Sequence, residues 1–245
     1  MDSIKTKIKK KLFNLFPKNF KLFIGQEILN NHEYFKHLNI SFSQEGEDQI
    51  LSQLFYGIKD GYYVDIGAHH PIKYSNTYKF YLNGWRGINI DAMPDSMLEF
   101  NKTRPNDVNL EFGVSVKTEP IEYHIFDRLG VNTFSKEFVD EMQEKGAKLD
   151  KIIQIKTKTL ESILDEYLPI NKHINFFTVD VENFELEVLK SNNWNKFRPQ
   201  IIVVESLQMK NKKKLEQYLN TIEYKHIGQT VNNLYFSDLE HNEID

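Results

Sequence analysis

The 245-residue chain contains no cysteine. That excludes a disulfide scaffold, thiolate zinc and iron–sulfur sites, and any thiol nucleophile. No run approaches the ~18 consecutive apolar residues of a membrane span, so a soluble protein is expected. The glycine-rich G-x-G-x-x-G of dinucleotide-binding turns is also missing. A basic surplus is lacking over most of the chain. Residues 1–21 hold seven lysines and one acid, a net of +6, while the remainder sets 24 basic against 34 acidic residues, a net of −10. A nucleic-acid footprint is therefore not expected. No apolar core of a secretory signal follows the lysines, which places the protein in the cytoplasm, with the inner face of a membrane as an option.

What is present suits one domain with an appendage: 40% hydrophobic, 13% aromatic and 27% charged residues. Residues 1–40 read as a basic amphipathic extension and 41–245 as the domain. In the extension, Leu12, Phe13, Leu15, Phe16, Phe20, Leu22 and Phe23 interleave with lysines, and Pro17 interrupts any continuous helix. Residues 1–23 would serve either as a peripheral membrane contact or as an ordinary segment packed on the domain. A homodimer is also admitted.

From Ser43 onward strand and helix patterns alternate. Strands are expected over 61–67, 86–91, 108–116, 121–126, 152–156, 173–180, 200–205, 224–227 and 233–236. Helices are expected over 75–82, 94–102, 135–145, 160–167, 184–190 and 210–219. Such alternation gives an α/β, doubly wound, Rossmann-like fold with a mostly parallel seven-stranded sheet. The last strand should insert antiparallel beside its neighbour.

Four acids fall at strand carboxyl ends: Asp65, Asp91, Asp180 and Glu205. Open α/β sheets bind ligands outside those ends, near the topological switch point. Gly67 lets the backbone approach a ligand, and Asp91 follows at about the offset where an acid grips ribose hydroxyls. The turn reads Gly67-Ala-His-His-Pro71, too poor in glycine to cradle a pyrophosphate. S-adenosylmethionine (SAM) has no phosphate, so this turn suits it better than a nicotinamide dinucleotide.

Several segments in order carry a family likeness: Ser43-Gln-Glu-Gly-Glu-Asp48, Tyr63-Val-Asp-Ile-Gly-Ala68, Ser75-Asn-Thr77 and Gly84-Trp-Arg-Gly-Ile-Asn-Ile-Asp91. Asp180-Val-Glu-Asn-Phe-Glu-Leu-Glu-Val-Leu189 and Arg198-Pro-Gln-Ile-Ile-Val-Val-Glu205 complete the set. Over roughly 41–205 the chain resembles the FkbM-type SAM-dependent methyltransferases. The resemblance implies a class I methyltransferase fold and O-methylation of a hydroxyl. The Gly-Ala-His-His-Pro turn is similar to a branch associated with polysaccharide clusters, which implies a carbohydrate-related or phosphorylated acceptor in capsule or lipopolysaccharide biosynthesis. The chain departs from the family pattern at Asn183, where D-V-E-G is usual, and at His69, His70 and Pro71.

Site roles follow as expectations. Asp65 and Gly67 would line the methionine side of SAM and Asp91 would grip its ribose, with Ala68 and Ala92 among the cofactor-binding residues. Ser75, Asn76 and Thr77 would hold the methionine carboxylate, with a plain helix cap as the alternative for Asn76 or Thr77. Gln44 and Glu47 lie in a segment that could close over the cofactor. Asp107 would reach the adenine edge or simply form a turn. His69, His70 and Asp180 are the candidates for activating the acceptor, since an alcohol must lose a proton in the transfer. Asn132, Thr133 and Glu182 would contact the acceptor. Asp180, Glu205 and His70 are candidate ligands for Mn2+ or Mg2+. The rival readings are an N-methyltransferase on an amide or amino-sugar, a nicotinamide-dependent enzyme and a non-catalytic SAM- or nucleotide-binding module.

Overall fold

The computed structural model describes residues 39–128 and 130–239. The chain divides into two units, residues 1–40 and 41–245. The lysine-rich stretch 1–23 lies outside the described residues. No helix among the described residues is long and apolar enough to cross a membrane.

Five parallel strands run side by side in the second unit, and the inner ones are apolar enough to be covered on both faces. They are β1 (Tyr62–Ile66), β2 (Arg86–Asp91), β3 (Val108–Glu111), β8 (Phe176–Val179) and β9 (Ile201–Glu205). Every residue of β1 and β8 is buried. Alternation along the strands divides the core. Tyr62, Val64, Ile66, Phe177, Val179, Ile202 and Val204 join one cluster. Tyr63, Phe176, Ile201 and Val203 join the other.

The first cluster is closed by Leu160, Ile163 and Leu164 of helix α5 (Leu160–Tyr167), Val188 and Leu189 of α6 (Glu185–Lys190), and Leu215 and Leu219 of α7 (Met209–Thr221). The second is closed by Leu51 of α1 (Glu47–Leu54), the adjoining Phe55, Phe80 of α2 (Tyr78–Leu82), and Trp85. Trp85, Trp194 and Phe197 are all packed within the core.

With β10 (Tyr224–Gln229) and β11 (Asn233–Asp238) added, the sheet order is β10-β11-β9-β8-β1-β2-β3. Strand β11 runs antiparallel to both β9 and β10, as the strand–helix pattern predicted for the last strand. The chain leaves β1 towards β2 and β3, then returns to place β8 and β9 on β1's other side. The switch point therefore lies between the carboxyl ends of β1 and β8.

Three local departures from the sequence reading have physical causes. The stretch 108–116 is not one strand: β3 ends at Glu111 and β4 (Gly113–Val114) pairs with β7 (Thr157–Lys158) in a separate ladder. The chain turns there because Gly113 has no side chain; a Cβ would sit 2.7 Å from Phe134 and 2.8 Å from Thr157. The helix expected from Pro94 begins at Met97 (α3, Met97–Thr103), since Asp95 takes a left-handed φ of 67°. The helix expected from Ser75 begins at Tyr78, because the side chains of residues 75–77 are engaged in a buried polar network. Beyond the sheet, hairpin β5–β6 (Ile121–Phe126, Leu149–Ile155) and helix α4 (Lys136–Glu144) form an insertion.

Candidate active site

Strand β1 ends in Gly67 with φ +84°, and a Cβ at this residue would lie 1.7 Å from the Asp180 carbonyl oxygen. Only glycine lets the two strand ends meet so closely. The amides of Gly67 and Ala68 both donate to the Ile90 carbonyl, at 2.9 and 3.0 Å. The next amide, of His69, donates to Asp91 Oδ2 at 2.8 Å. Three successive N–H groups are thus engaged by β2 and its end, leaving no amide nest for a pyrophosphate at this turn. That geometry argues against the nicotinamide reading.

Asp91 also accepts from Met93 N at 2.8 Å through its other oxygen. A carboxylate has about four acceptor positions, so two remain while the two amides fix its orientation. Burial raises the Asp91 pKa, and the two backbone hydrogen bonds oppose the rise.

A cleft of about 650 Å³ opens over these strand ends. Gln44, Glu47, Asp65, Gly67, Ala68, His69, His70, Ser75, Asn76, Asp91, Ala92, Asn132, Asp180, Glu182 and Glu205 line it. Thr77, Asp107 and Thr133, from the same set of candidates, do not. Thr77 is fully buried and donates to Asp65 Oδ2 at 2.6 Å. Asp107 accepts from the Tyr63 hydroxyl, Gly87 N and Asn89 Nδ2, which ties β3 to its neighbours and keeps it from an adenine edge. Buried Thr133 donates to the Glu182 carbonyl at 2.6 Å, joining the insertion to the loop after β8. Ser75 Oγ reaches the cleft wall but already serves the amides of Thr77 and Tyr78 as well as Arg104. Asn76 Nδ2 donates to Thr178 Oγ1 at 2.9 Å.

The segment before α1 is firmly placed. Asp48 accepts from Ser41 Oγ, Phe42 N and Ser43 Oγ. Glu47 accepts from Glu45 N and from Asn233 Nδ2, both at 2.8 Å. Glu47 is thereby held at the cleft wall, with Gln44 lining the cleft beside it.

The histidine pair separates in role. His70 Nδ1 accepts the amides of Ile72 and Lys73 at 3.0 and 2.9 Å, capping its own turn, while Nε2 lies 3.7 Å from Glu99. His69, with φ 51°, is exposed to the cleft and sits within electrostatic reach of Asp91 and Asp180. The metal-ligand expectation that paired His70 with Asp180 and Glu205 is corrected accordingly. The oxygens that converge belong to Asp180, Glu182 and Glu205, all within 4.8 Å of one another.

Asp180 opens onto the cleft while lying deep in the fold, so desolvation raises its pKa, and a hydrogen bond with Glu205 opposes the rise. Glu205 is raised by burial and by the Asp180 charge, so the two acids titrate as a linked pair. Glu182 is pushed up to about 9 by burial and then by Asp180. Its Oε2 is buried without a hydrogen-bond partner.

The loop carrying Glu182 is built on two successive left-handed residues, Glu182 (φ 54°) and Asn183 (φ 71°). Asparagine tolerates that region better than other side-chain-bearing residues, so Asn183 supplies the backbone that the family's glycine would. Glu185 Oε1 accepts from Asn183 N at 2.9 Å and Val181 N at 3.3 Å, staking the loop from below. Burial pushes Glu185 up to about 7. Glu185 and the buried Arg104 were not picked out by sequence, because each works through distant backbone contacts. Tyr123, Phe134 and Phe184 also line the cleft as an aromatic group, with centroids 4.5 Å apart for the first pair and 5.5 Å for the second.

The model of the methyltransferase FkbM domain matches residues 65–233. No curated protein matches the chain in sequence. Among solved structures, precorrin-6Y C5,15-methyltransferase from Geobacter metallireducens GS-15 is 12% identical, with a TM-score of 0.40 over 77% of this chain and 85% of that one. Its counterpart domain from Rhodobacter capsulatus is 11% identical, with a TM-score of 0.41 over 78% and 86%. M. capricolum TrmK in complex with S-adenosyl-homocysteine (SAH) is 12% identical, with a TM-score of 0.42 over 82% and 69%. The family match spans more than half of the chain and contains the Asp65–Gly67 turn, Asp91, the Asp180–Asn183 loop and Glu205. The chain belongs to the methyltransferase FkbM domain family, and its seven-stranded sheet with an inserted antiparallel strand is the class I methyltransferase fold.

Proposed function

We propose that the protein transfers the methyl group of SAM to a hydroxyl of a carbohydrate-related acceptor. The observation that carries the cofactor assignment is Asp91, held by two backbone amides with its remaining lone pairs available to a ribose diol. Asp65 and the Gly67 turn would face the methionine portion. Methyl transfer is an in-line displacement: the acceptor oxygen forms its bond to the methyl carbon as the sulfur–carbon bond breaks. The hydroxyl proton passes to a base, leaving a methyl ether and SAH. Both histidines line the cleft, but His69 has no ring nitrogen engaged in capping the turn, and we assign it that proton with Asp180 stabilising the resulting imidazolium. His70, whose Nδ1 caps a turn, is assigned to positioning.

The aromatic group of Tyr123, Phe134 and Phe184 suits the C–H face of a sugar ring, and the carboxylates suit its hydroxyls. Lys73 is the one lysine or arginine among the described lining residues, which disfavours a phosphorylated acceptor. The same carboxylates give the N-methylation reading a specific footing, because an amino-sugar would meet them as a cation. Their all-oxygen donor set also fits Mg2+ or Mn2+, which would lower the pKa of a bound hydroxyl.

Transfer of a labelled methyl group into neutral sugars, amino-sugars and sugar phosphates tests the acceptor assignment. Labelled methyl ethers of neutral sugars support it; N-methyl products select the second reading. Turnover that falls in EDTA and returns with Mn2+ or Mg2+, at unchanged SAH affinity, supports the metal. Full turnover in EDTA rejects it.

A further inference from the structure

Arg104 is 0% exposed and follows α3 directly, yet no carboxylate among the described residues forms an ion pair with it. Its partners are all neutral. Nε and Nη2 donate to the Pro71 carbonyl, Nη2 to Ser75 Oγ at 2.6 Å, and Nη1 to Thr77 Oγ1 at 2.8 Å and Asn89 Oδ1 at 3.2 Å. The rings of Tyr78 and Phe100 flank the guanidinium at 5.2 and 5.4 Å. A buried cation without its counter-ion is costly, so its retention calls for an account.

We propose that Arg104 is a positioning residue for cofactor binding, acting on Asp65 through the Thr77 hydroxyl and on segment 71–77 through Pro71 and Ser75. A hydroxyl has one proton. Because Thr77 Oγ1 accepts from Arg104, that proton is directed to Asp65 Oδ2, 2.6 Å away. The cation thus reaches the carboxylate through one intervening oxygen, while the planar fork clamps the chain leading from the cofactor turn to α2.

Asp65 lines the cleft where the sulfonium and ammonium of SAM would lie on the proposed cofactor reading, on which this inference rests. A charged, fixed carboxylate is what those groups require. The surroundings of Asp65 otherwise favour its neutral form. Burial raises its pKa, and the nearby Asp180 and Asp91 raise it further, leaving it at about 6; Arg104 and Thr77 oppose them. On its own strand the neighbouring Tyr63 faces Asp107 and Arg104 as well as Asp65. Without Arg104 the balance moves to the protonated acid, and the hydroxyl that aims Asp65 is released.

The test is calorimetric titration of the full chain with SAH between pH 5 and 9. Wild-type affinity should rise as pH passes through about 6. Arg104→Met should weaken SAH binding about 10-fold at pH 7, as for the loss of about 1.4 kcal/mol, and move the rise to higher pH. Arg104→Lys, which keeps the charge but not the fork, should restore part of both. Asp65→Asn should flatten the profile. Thr77→Val breaks the relay while leaving Arg104 in place, and should also move the profile upward; it carries the test if Arg104→Met does not fold. A folded Arg104→Met or Thr77→Val protein with the wild-type affinity and midpoint overturns the proposal, even if it melts at lower temperature. Failure of the wild type to bind SAH at any pH overturns the cofactor reading instead.

Discussion

Gly67 and Asn183 show how single residues set the cleft floor from opposite sides of the switch point. At Gly67, any side chain meets the Asp180 carbonyl and a left-handed backbone together. Gly67→Ala should destabilise the fold by more than about 3 kcal/mol, the combined cost of an unfavourable φ and overpacking, as measured by denaturant unfolding. Asn183 occupies a left-handed position that glycine also accepts. Asn183→Gly should therefore keep stability within about 1 kcal/mol, whereas Asn183→Val should lose about 1–2 kcal/mol. These two residues also mark what a sequence can convey. Asp65, Asp91, Asp180 and Glu205 were legible because each falls at the carboxyl end of a strand, and those ends open onto the cleft. Thr77, Asp107 and Thr133 were assigned to the cleft because spacing fixes proximity along the chain but not the direction of a side chain in a turn. Arg104 carried no role in the sequence reading, because its burial depends on contacts with Pro71, Ser75, Thr77 and Asn89, which lie far from it along the chain.

At the level of elements, the carboxyl ends of β1, β8 and β9 bring together acids that resist ionisation. Asp65 is raised to about 6, Glu185 to about 7 and Glu182 to about 9, in each case chiefly by burial. Each binds its proton more tightly in the folded protein than in the unfolded chain. The stability they contribute is complete at acid pH, below the ordinary 3.8 of an aspartate and 4.5 of a glutamate, and is lost as pH climbs through those raised values. The melting temperature should fall between pH 6 and pH 9, and Asp180→Asn, which removes a charge that raises Glu182 and Glu205, should make the fall shallower. A flat or rising melting temperature over that range contradicts this account of the cluster. Among elements, β8 and β9 were readable from unbroken apolar runs. Helix α1 was not, since its eight residues are largely polar and bury only Glu47, Asp48 and Leu51. The break after Phe112 was hidden too, because it depends on Phe134 and Thr157 crowding Gly113 from remote parts of the chain.

Over the whole molecule, one sheet order explains why chemistry gathers on one edge. The reversal between β1 and β8 opens a cleft whose floor is Gly67 and whose walls come from strand ends, α1 and the β5–β6 insertion. The negative balance of the sequence outside residues 1–21 has a local expression here: six acids line the cleft against one lysine among the described residues. Burial holds several of these acids towards their neutral form, so the pull of the cleft on a cation such as SAM grows with pH as they ionise. Cofactor binding should stabilise the folded protein by about 2.7 kcal/mol at 100 times the dissociation constant, readable as a rise in melting temperature with SAH but not with a nicotinamide dinucleotide. The most direct measurement is calorimetric titration of the full chain and its Asp91→Ala variant with SAH. Two lost hydrogen bonds to a charged acceptor, at about 1.5 kcal/mol each, predict saturable binding in the wild type and about 100-fold weaker binding in the variant. Equal affinity in the two proteins, or no binding by either, would contradict the assignment of this cleft.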